Sequence, residues 1–293
     1  MSRFPRLETL PTPALVLDTD RLDRNLHRLS ARMAEIGVTL RPHMKTAKSI
    51  DVARRAFPDG PGAITVSTLA EAEYFAGYGF HDLTYAVGIA PHTAERAMRL
   101  RKDGADIKIL LDTVEQALIV GEAGRAAGVT PSAFIEIDCD GHRGGLLAPD
   151  PKLLEVAAAL QADGVAIAGV LTHAGESYAL DTPEALEAAA ENERAVAVDA
   201  AERLRAAGFA CPIVSVGSTP TAHFAKSLDG VTEMRAGVYM FFDLVMHGVG
   251  VCSTDDLALS VLSTVIGGKP EKGWIMIDAG WMALSRDRGT AAQ

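Results

Sequence analysis

The sequence predicts an α/β fold, a (β/α)8 barrel in which eight parallel strands form a ring inside a layer of helices. Short β-type runs alternate with longer helical stretches rich in Ala, Leu, Glu and Arg, which is the pattern of βαβ units and a parallel sheet. Runs such as Ile107–Leu111 are almost entirely apolar, as expected for strands buried on both faces. Eight such units follow a first short run. An open, doubly wound sheet is the alternative.

The regular elements follow from these patterns in chain order. The first run is Ala14–Asp18, and a helix over Arg21–Ile36 follows it, with Asp18 or Asp20 as its N-cap. The eight barrel strands are predicted at Thr39–Lys45, Ala63–Ser67, Leu83–Val87, Ile107–Asp112, Ala133–Asp138, Ala166–Thr172, Ile213–Gly217 and Thr232–Ala236. Helices between them are predicted at Leu69–Gly77, His92–Lys102, Thr113–Ala127, Pro151–Ala162 and Pro183–Ala207.

The pattern changes after Gly237. Two β-rich runs, Leu257–Ile266 and Trp274–Asp278, have no helix between them and predict a hairpin-like start of a mostly β domain. Two or three strands are too few to close an independent β domain. We therefore expect residues 1–18 to join the β domain, residues 19–240 to form the barrel, and residues 241–293 to form an incomplete C-terminal β domain.

Composition excludes several classes of function. The chain has 293 residues, 48% of them hydrophobic, and a formal charge of −10 with no basic stripe, which argues against a nucleic-acid binder. Its three cysteines are widely spaced and odd in number, which argues against a disulfide framework. No apolar run reaches the roughly 18–20 residues needed to span a bilayer, and the N-terminus has no signal-peptide pattern. We expect a cytoplasmic protein that acts on small molecules, with neither nucleic acid nor a membrane as partner.

The first barrel strand ends in an unusual polar cluster, Arg41–Lys48. Active sites of such barrels form at the carboxyl ends of the strands, where Lys45 is predicted to lie. Desolvation and neighbouring cations lower the pKa of a lysine and free its neutral amine for Schiff-base chemistry. Arg41, His43 and Lys48 are candidates for such a field. The alternative is an ordinary surface lysine at a strand end.

Two later strands end in further polar groups. After the fifth barrel strand, Arg143 is followed by two glycines and is placed to donate to an anionic oxygen. After the sixth, His173 is a candidate to stack on a ring or move protons, and Tyr178 to donate to a phosphate. The alternatives are a solvated loop arginine, a hydrogen-bonded core histidine and a half-buried packing tyrosine.

The last two strand ends predict an anion site. Gly217, Ser218 and Thr219 form a strand-to-helix turn after the seventh strand, where barrels of this class bind phosphate. After the eighth strand, the backbone of Gly237 and Val238 is placed to donate to the same phosphate. Arg235 in that strand is placed to face a ring nitrogen, or alternatively to pair with Glu233. A strand-end lysine, a phosphate nest and an arginine beneath a ring together predict pyridoxal phosphate.

Motifs that run in order through almost the whole chain resemble one family. They are Thr12-Pro13-Ala14-Leu15-Val16-Leu17-Asp18, Leu40-Arg41-Pro42-His43-Met44-Lys45-Thr46, Val66-Ser67-Thr68-Leu69-Ala70-Glu71-Ala72, Ile137-Asp138 with Arg143-Gly144-Gly145, Thr172-His173-Ala174-Gly175, Gly217-Ser218-Thr219-Pro220, Thr232-Glu233-Met234-Arg235-Ala236-Gly237 and Asp278-Ala279-Gly280-Trp281. The chain resembles the fold-type III pyridoxal-phosphate enzymes, whose barrel is of the alanine racemase N-terminal type. Within them it is most similar to the D-serine dehydratase and D-threonine aldolase group.

The resemblance implies a role for each site residue. Lys45, rather than the competing Lys48, is implied to hold the cofactor as a Schiff base and to remove the α-proton. Arg143 is implied to contact the phenolic oxygen of the cofactor, and His173 its ring face. Phosphate contacts are implied for Tyr178, Gly217, Ser218, Thr219, Gly237 and Val238. Arg235 matches the arginine that faces the pyridine nitrogen in alanine racemases, which leaves the subclass open.

The family's metal site and its subunit arrangement are also implied by the resemblance. Family members bind Zn²⁺ or Mn²⁺ through a histidine and a cysteine or aspartate of a longer C-terminal β domain. This chain ends before that segment, and the spacing of His247 and Cys252 does not match it, so no metal ligand is predicted here. Members pair head-to-tail, so a homodimer is expected.

The implied function is a lyase that acts on β-hydroxy-D-amino acids. The Trp281–Ser285 run favours an ammonia-lyase of the D-serine dehydratase type. The alternative is a D-threonine aldolase, which cleaves its substrate to glycine and an aldehyde. Further alternatives are an amino-acid racemase, a non-catalytic pyridoxal-phosphate-binding protein, and a structural barrel without a cofactor.

Overall fold

The structure, a computed structural model, describes residues 6–284. Residues 1–5 and 285–293 of the predicted terminal domains, including Ser285 of the Trp281–Ser285 run, lie outside the described residues. The strands are β1 (Ala14–Leu17), β2 (Thr39–Pro42), β3 (Ile64–Val66), β4 (Asp82–Gly88), β5 (Asp106–Leu111), β6 (Ser132–Ile137), β7 (Ala166–Thr172), β8 (Ile213–Val216), β9 (Glu233–Ala236), β10 (Leu259–Leu262), β11 (Val265–Lys269) and β12 (Trp274–Ile277).

The helices alternate with the strands as the apolar periodicity predicts. They are α1 (Thr19–Ile36), α2 (Ile50–Ala56), α3 (Leu69–Ala76), α4 (Pro91–Lys102), α5 (Val114–Ala127), α6 (Lys152–Ala162), α7 (Pro183–Ala206), α8 (Thr219–Phe224) and α9 (Leu244–Gly248). Of the two candidate caps of α1, Asp18 takes the position, because its carboxylate accepts from the amides of Asp20 and Arg21. The short helices α2 and α9 were not predicted. Among the helices within residues 6–284, none is both long and apolar enough to cross a bilayer.

Eight parallel strands form the barrel. Their order is β2-β9-β8-β7-β6-β5-β4-β3. A parallel bridge between His43 and Thr65 closes the ring from β2 to β3, and the amide of Met44 donates to the carbonyl of Thr65 at 2.8 Å. The predicted (β/α)8 barrel is confirmed, and the doubly wound alternative is wrong.

The barrel interior has an apolar layer with a charged layer beneath it. Leu110, Phe134, Ala168 and Leu171 form a small cluster inside the ring, separate from the larger core between strands and helices. At the amino ends of the strands, the guanidinium of Arg41 pairs with Glu233 and with Asp82, each at 2.8 Å, and Lys108 pairs with Asp82 at 2.9 Å. This end of the barrel is therefore filled, and the opposite end is left for a site.

The remaining strands lie outside the barrel. β1 pairs antiparallel with β10, and β11 pairs antiparallel with β12. The predicted β-rich run Leu257–Ile266 is divided between β10 and β11, and β11 continues to Lys269 into the segment predicted to separate the two runs. The chain turns at Ser263 and Thr264, because the hydroxyl of Ser263 and the amide of Thr264 both donate to the carboxylate of Asp278, each at 2.9 Å.

Candidate functional site

A cavity opens at the carboxyl ends of the barrel strands. Every residue predicted for the site lies in its wall: Lys45, Arg143, His173, Tyr178, Gly217, Ser218, Thr219, Arg235, Gly237 and Val238. These residues come from five different loops and strands, and the parallel barrel brings them together because all its strands end at the same edge.

Lys45 does not lie at the end of a strand as predicted. β2 ends at Pro42, and the chain leaves the sheet beyond it. The amide of Lys45 donates to Nδ1 of His43 at 3.4 Å and not to a neighbouring strand. The Lys45 side chain still lines the cavity, whereas Lys48 does not and has a backbone φ of +48°. Of the two lysines, only Lys45 can therefore act in the cavity.

The cations that act on Lys45 differ from those predicted. Burial lowers the pKa of Lys45, and the guanidinium groups of Arg143 and Arg235 lower it further. Arg41 was a predicted source of this field, but its charge is paired inside the barrel with Glu233 and Asp82. His43 lines the cavity without supplying a charge, because burial together with Lys45 brings its pKa well below the usual value.

His173 is held as a neutral imidazole. Its Nδ1 donates to the carbonyl of Gly217 at 2.8 Å, which leaves Nε2 as the unprotonated nitrogen. The pKa of His173 is lowered to about 4, mainly by burial and in smaller part by the charge of Arg143. The hydrogen bond to the carbonyl of Gly217 acts in the opposite direction. The ring of Tyr178 lies 6.2 Å from it between centroids, at a tilt of 44°. The two rings form one wall of the cavity.

Arg235 forms a rigid, fully buried floor. Its guanidinium donates to the hydroxyl of Ser215 at 2.5 Å and to the carbonyl of Thr172. Ser215 in turn donates to Glu233 at 2.6 Å. Arg235 therefore does not form the ion pair with Glu233 that was the alternative prediction. The Ser215 hydroxyl links the two side chains instead. Arg235 keeps its place as a charged donor lining the cavity.

The turn between β8 and α8 has two hydroxyls with different surroundings. Ser218 is the N-cap of α8: its Oγ accepts from the amide of Thr221 at 3.2 Å and lies 2.9 Å from Oγ of Ser177. The Oγ1 of Thr219, in contrast, is buried in the cavity wall and makes no hydrogen bond of standard geometry among the described residues, although the Tyr178 hydroxyl lies beside it. Because this hydroxyl lines the cavity, it is available to a polar ligand.

Two glycines bring bare backbone to this turn. Gly217 has a φ of +134°, and a Cβ there would lie 2.2 Å from the carbonyl oxygen of Arg235. A Cβ on Gly237 would lie 2.6 Å from Oγ1 of Thr46. Backbone that no side chain covers, at the start of a helix and beside an unpaired hydroxyl, fits a phosphate group. The residues present therefore fit the phosphate end of pyridoxal phosphate.

Sequence reasoning missed two acidic residues. Glu136 of β6 lines the cavity, and burial together with Asp112 raises its pKa. A carboxylate within the apolar run Ala133–Ile137 was the available signal, because alternate residues of a barrel strand face inward. Glu193 of α7 lies behind the wall, where it accepts hydrogen bonds from Ala174, Gly217 and Thr221. The helical pattern around Glu193 carried no signal for this position.

A metal site is not formed within residues 6–284, where no group of three or more His, Cys, Asp or Glu side chains is placed to hold an ion. His247 instead lies 3.1 Å from the carbonyl of Cys252 through its Nδ1. Burial raises the pKa of the Cys252 thiol to about 12, which disfavours the thiolate that a metal requires.

Known proteins match this chain over almost all of its length. The family model "Alanine racemase, N-terminal domain" matches residues 17–245, and "Putative serine dehydratase domain" matches residues 258–293. The D-threo-3-hydroxyaspartate dehydratase of Delftia sp. (strain HT23) is 57% identical over 98% of this chain and 76% of its own length. The D-serine dehydratase of Dictyostelium discoideum is 31% identical over 97% of this chain and 76% of its own length.

Solved structures give the same picture. The structure of the Delftia enzyme superposes with a TM-score of 0.96 at 56% identity, covering 99% of this chain and 77% of that one. The D-threonine aldolase from Filomicrobium marinum superposes with a TM-score of 0.85 at 27% identity, covering 96% of this chain and 76% of that one. A variant of the D-threo-3-hydroxyaspartate dehydratase has been solved in a metal-free form.

Proposed function

Because this chain belongs to the alanine racemase N-terminal domain family and is a pyridoxal-phosphate-dependent lyase of β-hydroxy-D-amino acids, we propose that it is a dehydratase. The family and the lyase class predicted from the motifs are confirmed by these matches. The finer assignment is that the enzyme removes water from its substrate and releases ammonia. The observation that carries it is the 57% identity, over 98% of this chain, to a D-threo-3-hydroxyaspartate dehydratase. The cavity that Lys45, Thr219 and Arg235 share supports the cofactor that this reaction needs.

We propose that residues of the cavity wall hold the cofactor. Its phosphate is assigned to the turn after β8 and the backbone after β9, with the Thr219 hydroxyl as the side-chain donor, and its ring to the face of His173. Arg235 is assigned to the pyridine nitrogen and Arg143 to the phenolic oxygen. The remaining phosphate contacts are assigned to Tyr178, Gly217, Ser218, Gly237 and Val238. For Ser218 the contact is a weaker one, because its hydroxyl is used in capping α8.

The proposed reaction uses Lys45 as the base. When bound, pyridoxal phosphate withdraws electrons from the α-carbon of the amino acid and makes its α-proton acidic. Lys45 accepts this proton as a neutral amine, which its lowered pKa makes available. The Cα–H and Cβ–O bonds break, a double bond forms between the two carbons, and water leaves. Hydrolysis of the resulting enamine, after tautomerisation to the imine, gives a keto acid and ammonia.

We further propose that the substrate carries a carboxylate on its β-carbon, as 3-hydroxy-D-aspartate does. Two guanidinium groups line the cavity, those of Arg143 and Arg235, against the single carboxylate of Glu136. The cofactor's phosphate offsets part of this charge, and a second substrate carboxylate would offset more. The 57% identity to a D-threo-3-hydroxyaspartate dehydratase supports the same choice over D-serine.

Product analysis separates the candidate functions. The purified protein, saturated with pyridoxal phosphate, is incubated with D-threo-3-hydroxyaspartate, D-serine and D-threonine. We expect a keto acid and ammonia in equal amounts, fastest from 3-hydroxyaspartate. Glycine with an aldehyde would establish the aldolase instead, which the similarity to a solved D-threonine aldolase keeps as the second candidate. Enantiomer formation would establish a racemase, and bound cofactor without any product would establish a non-catalytic binding protein.

We propose that the chain acts as a homodimer. The β11–β12 hairpin exposes several large apolar side chains: Val265, Ile266, Trp274, Ile275, Met276 and Ile277. A contiguous exposed apolar strip of this kind is typical of a surface that another chain covers. Light scattering on the purified protein is expected to give twice the monomer mass. A monomer mass at every concentration tested would contradict the proposal.

A further inference from the structure

We propose that Glu193 is a positioning residue, which holds both His173 and the phosphate cradle in place from behind the cavity wall. The inference rests on the cofactor binding proposed above. Glu193 lies on α7, is 1% exposed and is not part of the cavity lining. Its carboxylate is the shared acceptor of three donors that belong to two neighbouring loops.

One carboxylate oxygen joins the ends of β7 and β8. Oε1 of Glu193 accepts from the amide of Ala174 at 2.8 Å and from the amide of Gly217 at 2.9 Å. Ala174 directly follows His173, and the carbonyl of Gly217 accepts from Nδ1 of His173. Glu193 therefore sets both the backbone that carries the His173 ring and the backbone group that orients it.

The other oxygen anchors the first turn of α8. Oε2 of Glu193 accepts from the hydroxyl of Thr221 at 2.7 Å, and the same hydroxyl oxygen accepts from the amide of Ser218 at 3.0 Å. Ser218 and Thr221 are hydrogen-bonded to one another, and Thr221 also donates to Glu193. Of the hydroxyls in this turn, that of Thr219 is therefore the one left for a ligand. The anchor thus determines which hydroxyl of the turn is available.

A carboxylate at this position needs an explanation beyond packing. Among residues 6–284, no Lys, Arg or His side chain lies within ion-pair distance of Glu193. Burial raises the pKa of its carboxyl, and the three hydrogen bonds and the more distant charge of Arg235 act in the opposite direction. The α7 residues Leu186, Ala190 and Ala197, which are buried against the same barrel, are apolar. An apolar residue would fill this space at lower free energy, because a buried carboxylate is tolerated only where donors compensate for its lost hydration. The three hydrogen bonds that it accepts therefore explain why a carboxylate occupies this position.

The proposal is tested by measuring how tightly variants bind pyridoxal phosphate. The apoenzyme is titrated with the cofactor, and the circular dichroism of the bound cofactor reports how its ring is held. We expect Glu193→Ala to raise the dissociation constant at least tenfold and to change the cofactor band, since two loop amides lose their acceptor. Glu193→Gln retains an amide oxygen for both amides, so we expect its dissociation constant within about threefold of wild type.

Two further variants keep the test decisive. Leu100→Ala, in the last turn of α4 at the opposite end of the barrel, lowers stability but is expected to leave cofactor affinity and the cofactor band unchanged. Thr221→Val removes the donor to Oε2, and we expect it to weaken cofactor binding even if Glu193→Ala does not fold. Wild-type affinity and an unchanged band in either Glu193→Ala or Thr221→Val would overturn the proposal. So would an equal loss in Leu100→Ala or in Glu193→Gln. Failure of the wild-type protein to bind the cofactor would instead overturn the proposed function.

Discussion

At the scale of single residues, the site depends on differences between near neighbours in the chain. Lys45 and Lys48 are three residues apart, yet only Lys45 lines the cavity. Ser218 and Thr219 carry adjacent hydroxyls, yet that of Ser218 caps a helix, while that of Thr219 makes no hydrogen bond of standard geometry among residues 6–284. In both pairs the chemistry of the residue is the same, and its surroundings decide what it can do.

Replacing Lys45 should remove the base without removing the fold. We expect Lys45→Ala to reduce kcat by at least about 10³-fold, because it deletes the group assigned to the α-proton. Keto-acid release measures the loss, and borohydride reduction followed by peptide mass mapping locates the cofactor adduct. The matched control is Lys48→Ala, which should retain both activity and the adduct. An adduct on Lys48 in the wild-type protein would contradict the assignment.

The two hydroxyls of the β8–α8 turn should separate in their effects. Thr219→Val keeps the shape of the side chain and removes the unpaired hydroxyl. We expect it to weaken pyridoxal phosphate binding roughly tenfold, since a hydrogen bond to a charged group contributes about 1.5–3 kcal/mol. Ser218→Ala removes an N-cap and should lower the free energy of unfolding by about 1 kcal/mol, with a smaller change in affinity. Equal losses of affinity in the two variants would refute this division of roles.

At the scale of elements, the turn between β8 and α8 is held from two sides. Helix α8 has only six residues, too few to be stable by itself. Its capping box and its hydrogen bond to the carboxylate of Glu193 stabilise it. Gly217 allows this turn to pass directly over β9. The position of the phosphate cradle therefore depends on α7, α8 and two barrel strands together.

A side chain at Gly217 should disrupt the cradle. Gly217→Ala combines a left-handed backbone conformation with a Cβ that would lie 2.2 Å from the carbonyl oxygen of Arg235, so the strands must separate. We expect the free energy of unfolding to fall by several kcal/mol, on the order of the largest single-residue effects. We also expect no measurable cofactor binding. The matched control is Gly37→Ala: its φ is also positive, at +82°, but its Cβ would meet nothing within 4 Å. If Gly217→Ala were as mild as Gly37→Ala, the close approach would not matter.

At the scale of the whole molecule, charge is arranged by layer. Paired ions fill the amino end of the barrel, apolar side chains fill its middle, and cations with half-buried neutral histidines surround the open end. His43, His173 and His223 all have pKa values depressed by burial. The folded protein therefore carries histidines that the unfolded chain would protonate near pH 6.5.

The free energy of unfolding should fall as the pH falls from about 7 towards 4, and His223 should cause part of this decrease. Burial lowers the pKa of His223 to about 4, so the unfolded chain binds the proton first and acid favours unfolding. This single shift contributes at most about 3 kcal/mol. Because the raised pKa values of Glu136 and Glu193 act in the opposite direction, the test is a difference between variants. Denaturant unfolding from pH 7 to pH 4 should show a shallower decline for His223→Gln than for wild type.

The matched control for this measurement is the exposed His27. His27→Gln should leave the pH dependence of the unfolding free energy as it is in the wild-type protein, since His27 is exposed on α1. A decline in His223→Gln as steep as that of the wild type would show that another group is responsible.

The sequence by itself determined the barrel, the order of its strands and most of the polar residues that surround the cavity, Glu136 being the exception. These follow from local periodicity and from the rule that parallel strands end at one edge, so His173, Thr219 and Arg235 were predicted with no knowledge of their contacts. The boundaries of domains, the roles of the site residues and the dimer stay predictions.

Only the tertiary structure decided which groups act on one another. The cations beside Lys45 are Arg143 and Arg235 rather than its chain neighbours, and Glu193 reaches the cradle from the outer helix layer. β1 pairs with β10 across more than 240 residues of chain. Hydrogen bonds and charge interactions act over a few ångströms, and the spacing of residues along a chain says little about which distant side chains come that close.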